Sequence, residues 1–183
     1  GLGGGQPKRI SFENFQACVS GWTHDGRVLV TTRADSGMTW ATMVVSIDPD
    51  SLKREPLPLA DANDAVVDPE GRWLYFIRFG LTVTNDNARG YRGGALGQLW
   101  RYDLQGTGEA ERIGPRDANV RRPMWANGRL LVVADSDGRY NLWSLAPDGS
   151  DARQLTQHRG FDVRSAQADG TRVVYQLGAD LRR

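Results

Sequence analysis

Residues 135–156 read DSDGRYNLWSLAPDGSDARQLT, with an Asp-Gly pair on each side of the strand-like run YNLWSL. Asp-Gly favours tight hairpin turns, because Gly accepts a positive φ and Asp bonds its own backbone. The bulky apolar residues of YNLWSL can face both sides of a pleated strand. The stretch therefore predicts a strand inside a sheet that is covered on both faces.

The same pattern repeats along the chain. Turn glycines at Gly26, Gly71, Gly128 and Gly170 are followed by RVLVTT, RWLYFI, RLLVVA and TRVVYQ. These glycines lie 45, 57 and 42 residues apart; the first and last periods are typical of propeller blades, and the middle one is longer. No helical periodicity with caps is evident, so the repeat indicates an all-β protein.

A second strand-like run follows in the first three repeats, as MVVSIDPDS, QLWRYDLQG and NLWSLAPDG. This alignment puts Val45, Trp100 and Trp143 at one equivalent position. We interpret the three residues as structural core that packs between neighbouring blades. A short strand follows each of these runs, which gives four strands per repeat.

The sequence thus predicts one β-propeller segment over residues 1–183, built of four-stranded antiparallel blades. Three whole blades are expected over about 17–59, 62–114 and 118–157. An outer strand over 6–12 and a partial blade over 159–183 are expected at the two ends. We expect the segment to belong to a larger ring.

Composition excludes several classes of partner. The 183 residues carry a net charge of +1 from 23 basic and 22 acidic side chains, which predicts no general attraction to nucleic acid or to membranes. No apolar run approaches the ~20 residues that span a bilayer. The one cysteine, Cys18, excludes an intramolecular disulfide and fits a cytoplasmic location. We expect its thiol to be buried.

Candidate catalytic groups are few. His24 lies in a turn and His158 in a connection between blades, and neither has metal-ligand spacing to another His or Cys. No G-x-S-x-G elbow is present. Carboxylates such as Asp135 and Asp169 lie in or beside turns, and a turn role explains them. We therefore expect no catalytic residue, no metal site and no cofactor.

The long middle repeat contains an insertion over residues 81–97, LTVTNDNARGYRGGALG. Glycine-rich and polar, it predicts a surface loop of the kind that often carries function. Arg89, Tyr91 and Arg92 are the candidate peptide-binding residues, because arginines can hold peptide carboxylates bidentately. Packing of the same loop against a neighbouring domain is the alternative.

Three stretches carry a family resemblance: GYRGGALGQLW at 90–100, the opening run at 135–156, and FDVRSAQADGTRVVYQLGADL at 161–181. Together they resemble the six-bladed propeller domain of tricorn-type proteases. The resemblance implies a segment of a large cytoplasmic serine peptidase with two propellers, a PDZ domain and a separate catalytic region. It implies that the propeller is non-catalytic and serves as scaffold and peptide passage. The partners implied are the remaining domains and peptide substrates.

Two other functions are open from the residues alone. One is an independent propeller that docks a protein partner, as TolB-like domains do. The other is a propeller hydrolase with its site in the central tunnel, for which the sequence offers no convergent set of His and carboxylate residues. We also expect a homodimer in which the ends are exchanged, with Arg9-Ile10-Ser11 laddered onto Asp180-Leu181-Arg182 of a second copy.

Overall fold

The computed structural model describes residues 4–12, 17–34, 36–38, 41–79 and 89–183, and within them the chain forms fifteen strands in four antiparallel sheets. Blade 1 contains β1 (Ala17–Trp22), β2 (Val28–Thr32), β3 (Met43–Ile47) and β4 (Arg54–Pro56). Blade 2 contains β5 (Ala62–Val67), β6 (Trp73–Arg78), β7 (Gln98–Asp103) and β8 (Glu111–Arg112). Blade 3 contains β9 (Val120–Ala126), β10 (Arg129–Ala134), β11 (Asn141–Leu145) and β12 (Arg153–Gln154). Blade 4 contains β13 (Val163–Ala168), β14 (Val173–Leu177) and β15 (Asp180–Arg182).

Strands within each blade are neighbours in chain order. The first strands of successive blades, β1, β5, β9 and β13, contact one another in turn and therefore line one side of the assembly. This is the arrangement of a β-propeller, in which the first strand of each blade lies nearest the central axis. The predicted all-β propeller, with three four-stranded blades and a partial one, is confirmed.

The turn between the first two strands of each blade has one chemistry. Gly26, Gly71, Gly128 and Gly170 have φ values of 83°, 71°, 71° and 91°, which only glycine adopts readily. In blade 2 the turn is closed by Asp68, whose Oδ1 accepts the backbone N–H groups of Arg72 at 2.8 Å and Trp73 at 3.0 Å. Each blade contains this turn once, so the spacing of the four glycines equals the spacing of the blades along the chain.

Apolar side chains pack between successive blades. Trp100 is half-buried against the cluster that joins blades 1 and 2, which includes Leu29 and Phe76. Trp143 is half-buried against the cluster that joins blades 2 and 3, which includes Tyr75 and Val132. Both indoles therefore face the preceding blade.

Val45 occupies the same place in its blade. Val45 pairs with Val30, Trp100 with Phe76 and Trp143 with Val132, each as the third residue of a third strand. Val45 is fully buried in a small cluster within blade 1, against which Ile10 packs. In place of a cluster between two blades, Val45 therefore packs with residues of its own blade and with the segment before it.

The segment before blade 1 departs from the expectation. Residues 4–12 form no strand, whereas an outer strand was expected over 6–12. Lys8 Nζ donates to the carbonyl oxygens of Pro49 at 2.9 Å and Asp50 at 3.3 Å. An outer strand forms only by pairing with the third strand of its own blade, and the described residues supply no such partner for it.

Cys18 also departs from the expectation, because it is exposed rather than buried. Val19 and Trp22 in the same strand are exposed as well, Trp22 to 60%. β1 belongs to the first blade, and no preceding blade covers it within the described residues. An apolar strand is buried only where a second layer packs on it.

The outermost strands are the shortest. β8 and β12 have two residues each, whereas the innermost strands β5 and β9 have six and seven. The hydrogen-bonded ladders are therefore long near the axis and shrink towards the rim.

Candidate functional site

The end of the blade 2 insertion, residues 89–97, is fixed on blade 3 by a buried carboxylate. Asp135 is fully buried at the end of β10. Its Oδ2 accepts the backbone N–H of Gly90 at 2.8 Å and Nη1 of Arg92 at 3.0 Å. Nη2 of Arg92 also donates to the backbone carbonyl of Asp135 at 3.2 Å. The Arg92 guanidinium is thereby committed to blade 3.

Asn119 completes this anchor. Its backbone N–H donates to Asp135 Oδ1 at 2.7 Å, and its Nδ2 donates to Asp135 Oδ2 at 3.2 Å and to the Tyr91 carbonyl at 2.8 Å. The Asp135 carboxylate thus accepts four hydrogen bonds, one of them from a cation. A buried charge is stable only when it is paired and hydrogen-bonded in this way.

The structure separates the three candidate residues of the insertion. Arg92 and Tyr91 hold the loop in place, since the Tyr91 hydroxyl also accepts the backbone N–H of Ala95 at 3.3 Å. Arg89 extends to Asp162 at the start of blade 4, with 3.4 Å between Nη1 and Oδ2. The Arg89 side chain is 43% exposed. Residues 81–88 of the insertion lie outside the described residues.

Arg89 lies at the mouth of a groove between the insertion, the connection from blade 3 to blade 4, and blade 4 itself. The groove has a volume of about 430 Å³. It is lined by Arg89, Gly160, Phe161, Asp162, Arg164, Gln176 and Gly178. Such a volume lies in the range of small-ligand sites, about 300–1,000 Å³.

The aromatic wall of the groove depends on a glycine. Phe161 is 65% exposed, and its ring lies against the backbone of Gly178. A Cβ atom at Gly178 would come within 3.1 Å of the ring, and the residue has a φ of 62°. Both the close approach and the left-handed backbone therefore favour glycine here.

Tyr140 supports Asp162 from blade 3. The Tyr140 backbone N–H donates to Asp162 Oδ1 at 3.3 Å. Its ring is fully buried with the Arg121 guanidinium 3.9 Å from the ring centroid. Burial raises the pKa of the Tyr140 hydroxyl to about 12, so this side chain stays neutral behind the groove.

The innermost strands carry a second polar feature. In β5, β9 and β13 a register shift places one non-glycine residue in the left-handed region, with φ values of 46° at Asp64, 52° at Arg122 and 49° at Ser165. β1 has a register shift at the corresponding place, around Ser20. Bulges of this kind re-aim side chains, and here they occur once per blade beside the axis.

Hydrogen bonds connect these bulges from blade to blade. Ser20 Oγ lies 2.8 Å from Thr31 Oγ1, which accepts the Asp64 backbone N–H at 3.2 Å. Asp64 in turn forms an ion pair with Arg122 of blade 3 at 3.4 Å. Adjacent inner strands are therefore tied by side chains as well as by packing.

The two histidines take part in different contacts. His24 is exposed in the blade 1 turn and touches the Gly71 turn of blade 2. His158 Nε2 lies 3.0 Å from the Tyr175 hydroxyl. Across the described ranges, no three His, Cys, Asp or Glu side chains are grouped so that they could hold a metal ion. The same residues include no helix of the length and apolar character that crosses a membrane.

Sequence reasoning missed Asp135, Arg164 and Phe161. Asp135 was assigned to a turn, and its carbonyl does accept the Gly138 N–H at 3.0 Å, but its carboxylate anchors the insertion. The signal for Phe161 was a large aromatic residue in an otherwise polar connection between blades. Nothing in the sequence indicated that Arg164 and Arg89 line one groove.

Comparison with known proteins agrees with this architecture. A family model described as the tricorn protease N-terminal beta propeller domain matches residues 1–183. Tricorn protease homolog 1 from Streptomyces coelicolor is 32% identical over 185 residues, covering 97% of this chain and 16% of that protein. The crystal structure of the tricorn protease has a TM-score of 0.77 at 25% identity, covering 90% of this chain and 16% of that one.

A propeller of another class shares the fold. TolB from Acinetobacter baumannii has a TM-score of 0.66 at 15% identity, covering 96% of this chain and 41% of that one. Identity at that level is evidence for a common fold alone. The chain spans less than a fifth of the two tricorn proteins it matches.

Proposed function

Because this chain belongs to the tricorn protease N-terminal β-propeller family, we propose that it acts as a non-catalytic propeller segment of a tricorn-like serine peptidase. In this role it is a scaffold and a passage for peptides during oligopeptide degradation. A cytoplasmic location, which the family resemblance implies, is part of the same proposal.

The observation that carries the passage role is the polar inner wall. Ser20, Asp64, Arg122 and Ser165 stand at the bulges of the four first strands. A wall that offers hydroxyl, carboxylate and guanidinium groups can exchange hydrogen bonds with a moving peptide backbone. An apolar wall of the same shape would instead retain apolar side chains.

The scaffold role is supported by the apolar side chains on the two end blades. Val19 and Trp22 are exposed on blade 1, and Val174 and Leu181 are exposed on blade 4. Exposed apolar patches of this kind favour packing against further protein surface. In the proposed parent peptidase the neighbouring blades and domains cover them.

The absence of catalysis is proposed from the contacts of the histidines. His158 lies against the Tyr175 hydroxyl, and His24 against a glycine turn. Among the described residues neither imidazole bonds a serine, threonine or cysteine side chain, which a serine-type nucleophile–base pair requires. We expect the purified chain to leave fluorogenic peptides intact, with or without a serine-directed inhibitor. Turnover that co-purifies with the chain and is blocked by the inhibitor would contradict the proposal.

The passage role is tested by photo-crosslinking. Short oligopeptides that carry a benzophenone group are irradiated with the chain, and the labelled positions are mapped by mass spectrometry. We expect labels on the first strands around Asp64 and Arg122, and near Arg89 in the groove. Labels confined to the outer strands β4, β8 and β12 would contradict a passage along the axis.

The proposed peptide contacts of the insertion follow its geometry. Arg89 faces the groove and is the direct contact. Tyr91 and Arg92 contribute by holding the loop through Asn119 and Asp135. The candidate peptide-binding set of the insertion is thereby divided into one contact residue and two positioning residues.

A further inference from the structure

We infer that the groove between the insertion and blade 4 binds the carboxylate of an acidic peptide segment, with an apolar peptide side chain against Phe161. The inference deepens the proposed peptide-handling function and rests on it. It assigns to this groove a ligand chemistry and two residues, Arg164 and Phe161, outside the insertion.

The groove is lined by more arginine than acidic side chains among the described residues. Its described lining residues include two guanidinium groups, those of Arg89 and Arg164, and one carboxylate, that of Asp162. Arg139 adds a third, since its Nη1 lies 3.4 Å from the Gly160 carbonyl at the same rim. Cationic side chains therefore outnumber carboxylates among the described residues of the groove, although the chain as a whole is nearly neutral, and a positive groove attracts an anionic ligand.

Arg89 forms only a loose ion pair with Asp162. Its contacts with Asp162 are 3.4 and 3.5 Å long, and both use Nη1. Charge-assisted hydrogen bonds are shortest at about 2.7–2.9 Å, so this pair is loose. Among the described residues no carboxylate contacts Nε or Nη2 of Arg89, and these N–H groups form the fork that binds a carboxylate bidentately.

Arg92 offers a contrast in the same loop. Its guanidinium lies 3.0 Å from a fully buried carboxylate and also bonds two backbone carbonyls. A ligand would have to displace these bonds to reach it. The selective role therefore falls to Arg89 rather than Arg92.

Phe161 forms an aromatic wall of the groove. A phenylalanine that is 65% exposed beside two arginines gives the groove an apolar surface next to its cationic one. The ring lies beside Gly178 with most of its surface exposed, so an apolar ligand group that packs on it buries apolar area. A groove of about 430 Å³ accommodates one acidic residue and an apolar neighbour.

The experiment uses fluorescence anisotropy with three labelled peptides. The first has blocked ends and Phe-Glu at its centre; the second is identical except for Gln in place of Glu. The third is the Gln peptide with a free C-terminal carboxylate. We expect a peptide with a carboxylate to bind roughly tenfold more tightly than the blocked Gln peptide, and the preference to weaken with added salt.

The three peptides also identify the source of the carboxylate. Tighter binding of the blocked Glu peptide assigns the groove to acidic side chains, and tighter binding of the third peptide assigns it to chain ends. Equal affinity for all three would overturn the inference while leaving the proposed peptide passage intact. Failure of every peptide to bind would overturn both.

Variants connect the preference to the groove. Arg89→Ala/Arg164→Ala is expected to abolish the discrimination between Glu and Gln. Arg153→Ala, on the rim strand β12, matches the charge change of the single variant Arg89→Ala and is expected to retain it. Single Arg89→Ala, at a half-exposed residue, carries the test where the double variant has an altered melting temperature. Discrimination that survives in both Arg89 variants would overturn the assignment.

The contact with Phe161 is tested by one substitution in the groove and one control substitution outside it. Phe161→Ala is expected to weaken binding of the Phe-Glu peptide roughly tenfold. Leu155→Ala, at an exposed apolar residue on blade 3, is expected to leave it unchanged. Equal effects of the two substitutions would overturn the role of Phe161.

Discussion

The guanidinium of Arg92 and the carboxylate of Asp135 meet at 3.0 Å although 43 residues separate them in the chain. Arg92 belongs to the insertion of blade 2, and Asp135 directly follows the second strand of blade 3. Because Asp135 is fully buried, the pair fixes the insertion to the neighbouring blade instead of leaving it as a free surface loop. Arg89, three residues earlier, is positioned over the groove by this anchor.

Asp135→Ala is expected to lower the free energy of unfolding by about 3 kcal/mol. The substitution leaves the N–H groups of Gly90 and Asn119 without their acceptor in a buried site. Urea denaturation measures the loss. Asp50→Ala, at an exposed turn residue, is the control and should change stability by about 0.5 kcal/mol or less. Equal losses in the two variants would show that the buried anchor is unimportant.

Trp143→Ala is expected to cost about 3 kcal/mol, because the indole packs against the cluster between blades 2 and 3. The change in melting temperature gives the measurement. Trp22→Ala removes an indole that is 60% exposed and should have a much smaller effect. A Trp143→Ala protein that melts like the wild type would contradict the packing described here.

Ser165→Gly is expected to be more stable than Ser165→Ala by about 1 kcal/mol. Ser165 has a φ of 49°, and glycine adopts this backbone without steric cost. Both variants remove the hydroxyl, so their difference isolates the backbone. In an ordinary strand the order is reversed, and Ala being the more stable would argue against the left-handed bulge.

Stability at acid pH depends partly on Asp169. Its pKa lies well below the ordinary value of 3.8, because the N–H groups of Arg172 and Thr171 and then the Arg172 side chain favour its charged form. A folded-state pKa below the unfolded one adds stability at pH values above the unfolded pKa. That stability is lost as the pH falls below 3.8 through the folded value.

Asp169→Asn is therefore expected to reduce the difference in urea midpoint between pH 7 and pH 3. The variant loses its charged acceptor at both pH values, so the acid side of its stability curve becomes flatter. A difference identical to that of the wild type would show that Asp169 titrates in the same way in the folded and unfolded chains.

We propose a homodimer in which two exposed segments, residues 9–11 and strand β15, pair between copies. Residues 9–11 belong to no strand, and Leu181 in β15 is 78% exposed. Two copies can therefore pair Arg9-Ile10-Ser11 of one with Asp180-Leu181-Arg182 of the other. Light scattering measures the mass. A Ser11→Cys/Leu181→Cys variant that also carries Cys18→Ser is expected to crosslink between copies, and a monomer at micromolar concentration would exclude the exchange.

The blade repeat could be predicted because the same local turn recurs in every blade. Each blade requires one glycine with positive φ between its first two strands, and Gly26, Gly71, Gly128 and Gly170 report that need directly. The equivalence of Trp100 and Trp143 follows from the same alignment. These features depend on residues a few positions apart, which a single sequence displays.

The groove and the inner bulges depend on longer distances. Asp64, Arg122 and Ser165 share a left-handed backbone but no residue type, so no sequence pattern marks them. Arg89 meets Asp162 over 73 residues. The exposure of Cys18 was also unpredictable, because it depends on which blade packs beside β1 and not on the strand itself.

The short outer strands have a consequence for solubility. A sheet edge becomes a template for growth of cross-β aggregates when it presents a long row of unpaired N–H and C=O groups. The rims of blades 2 and 3 end in β8 and β12, which offer only two residues each. Two residues are too few to seed a stable intermolecular ladder, so blades 2 and 3 are protected at their rims. The outer edge of blade 4 is the exposed strand β15, and there pairing with another copy is expected.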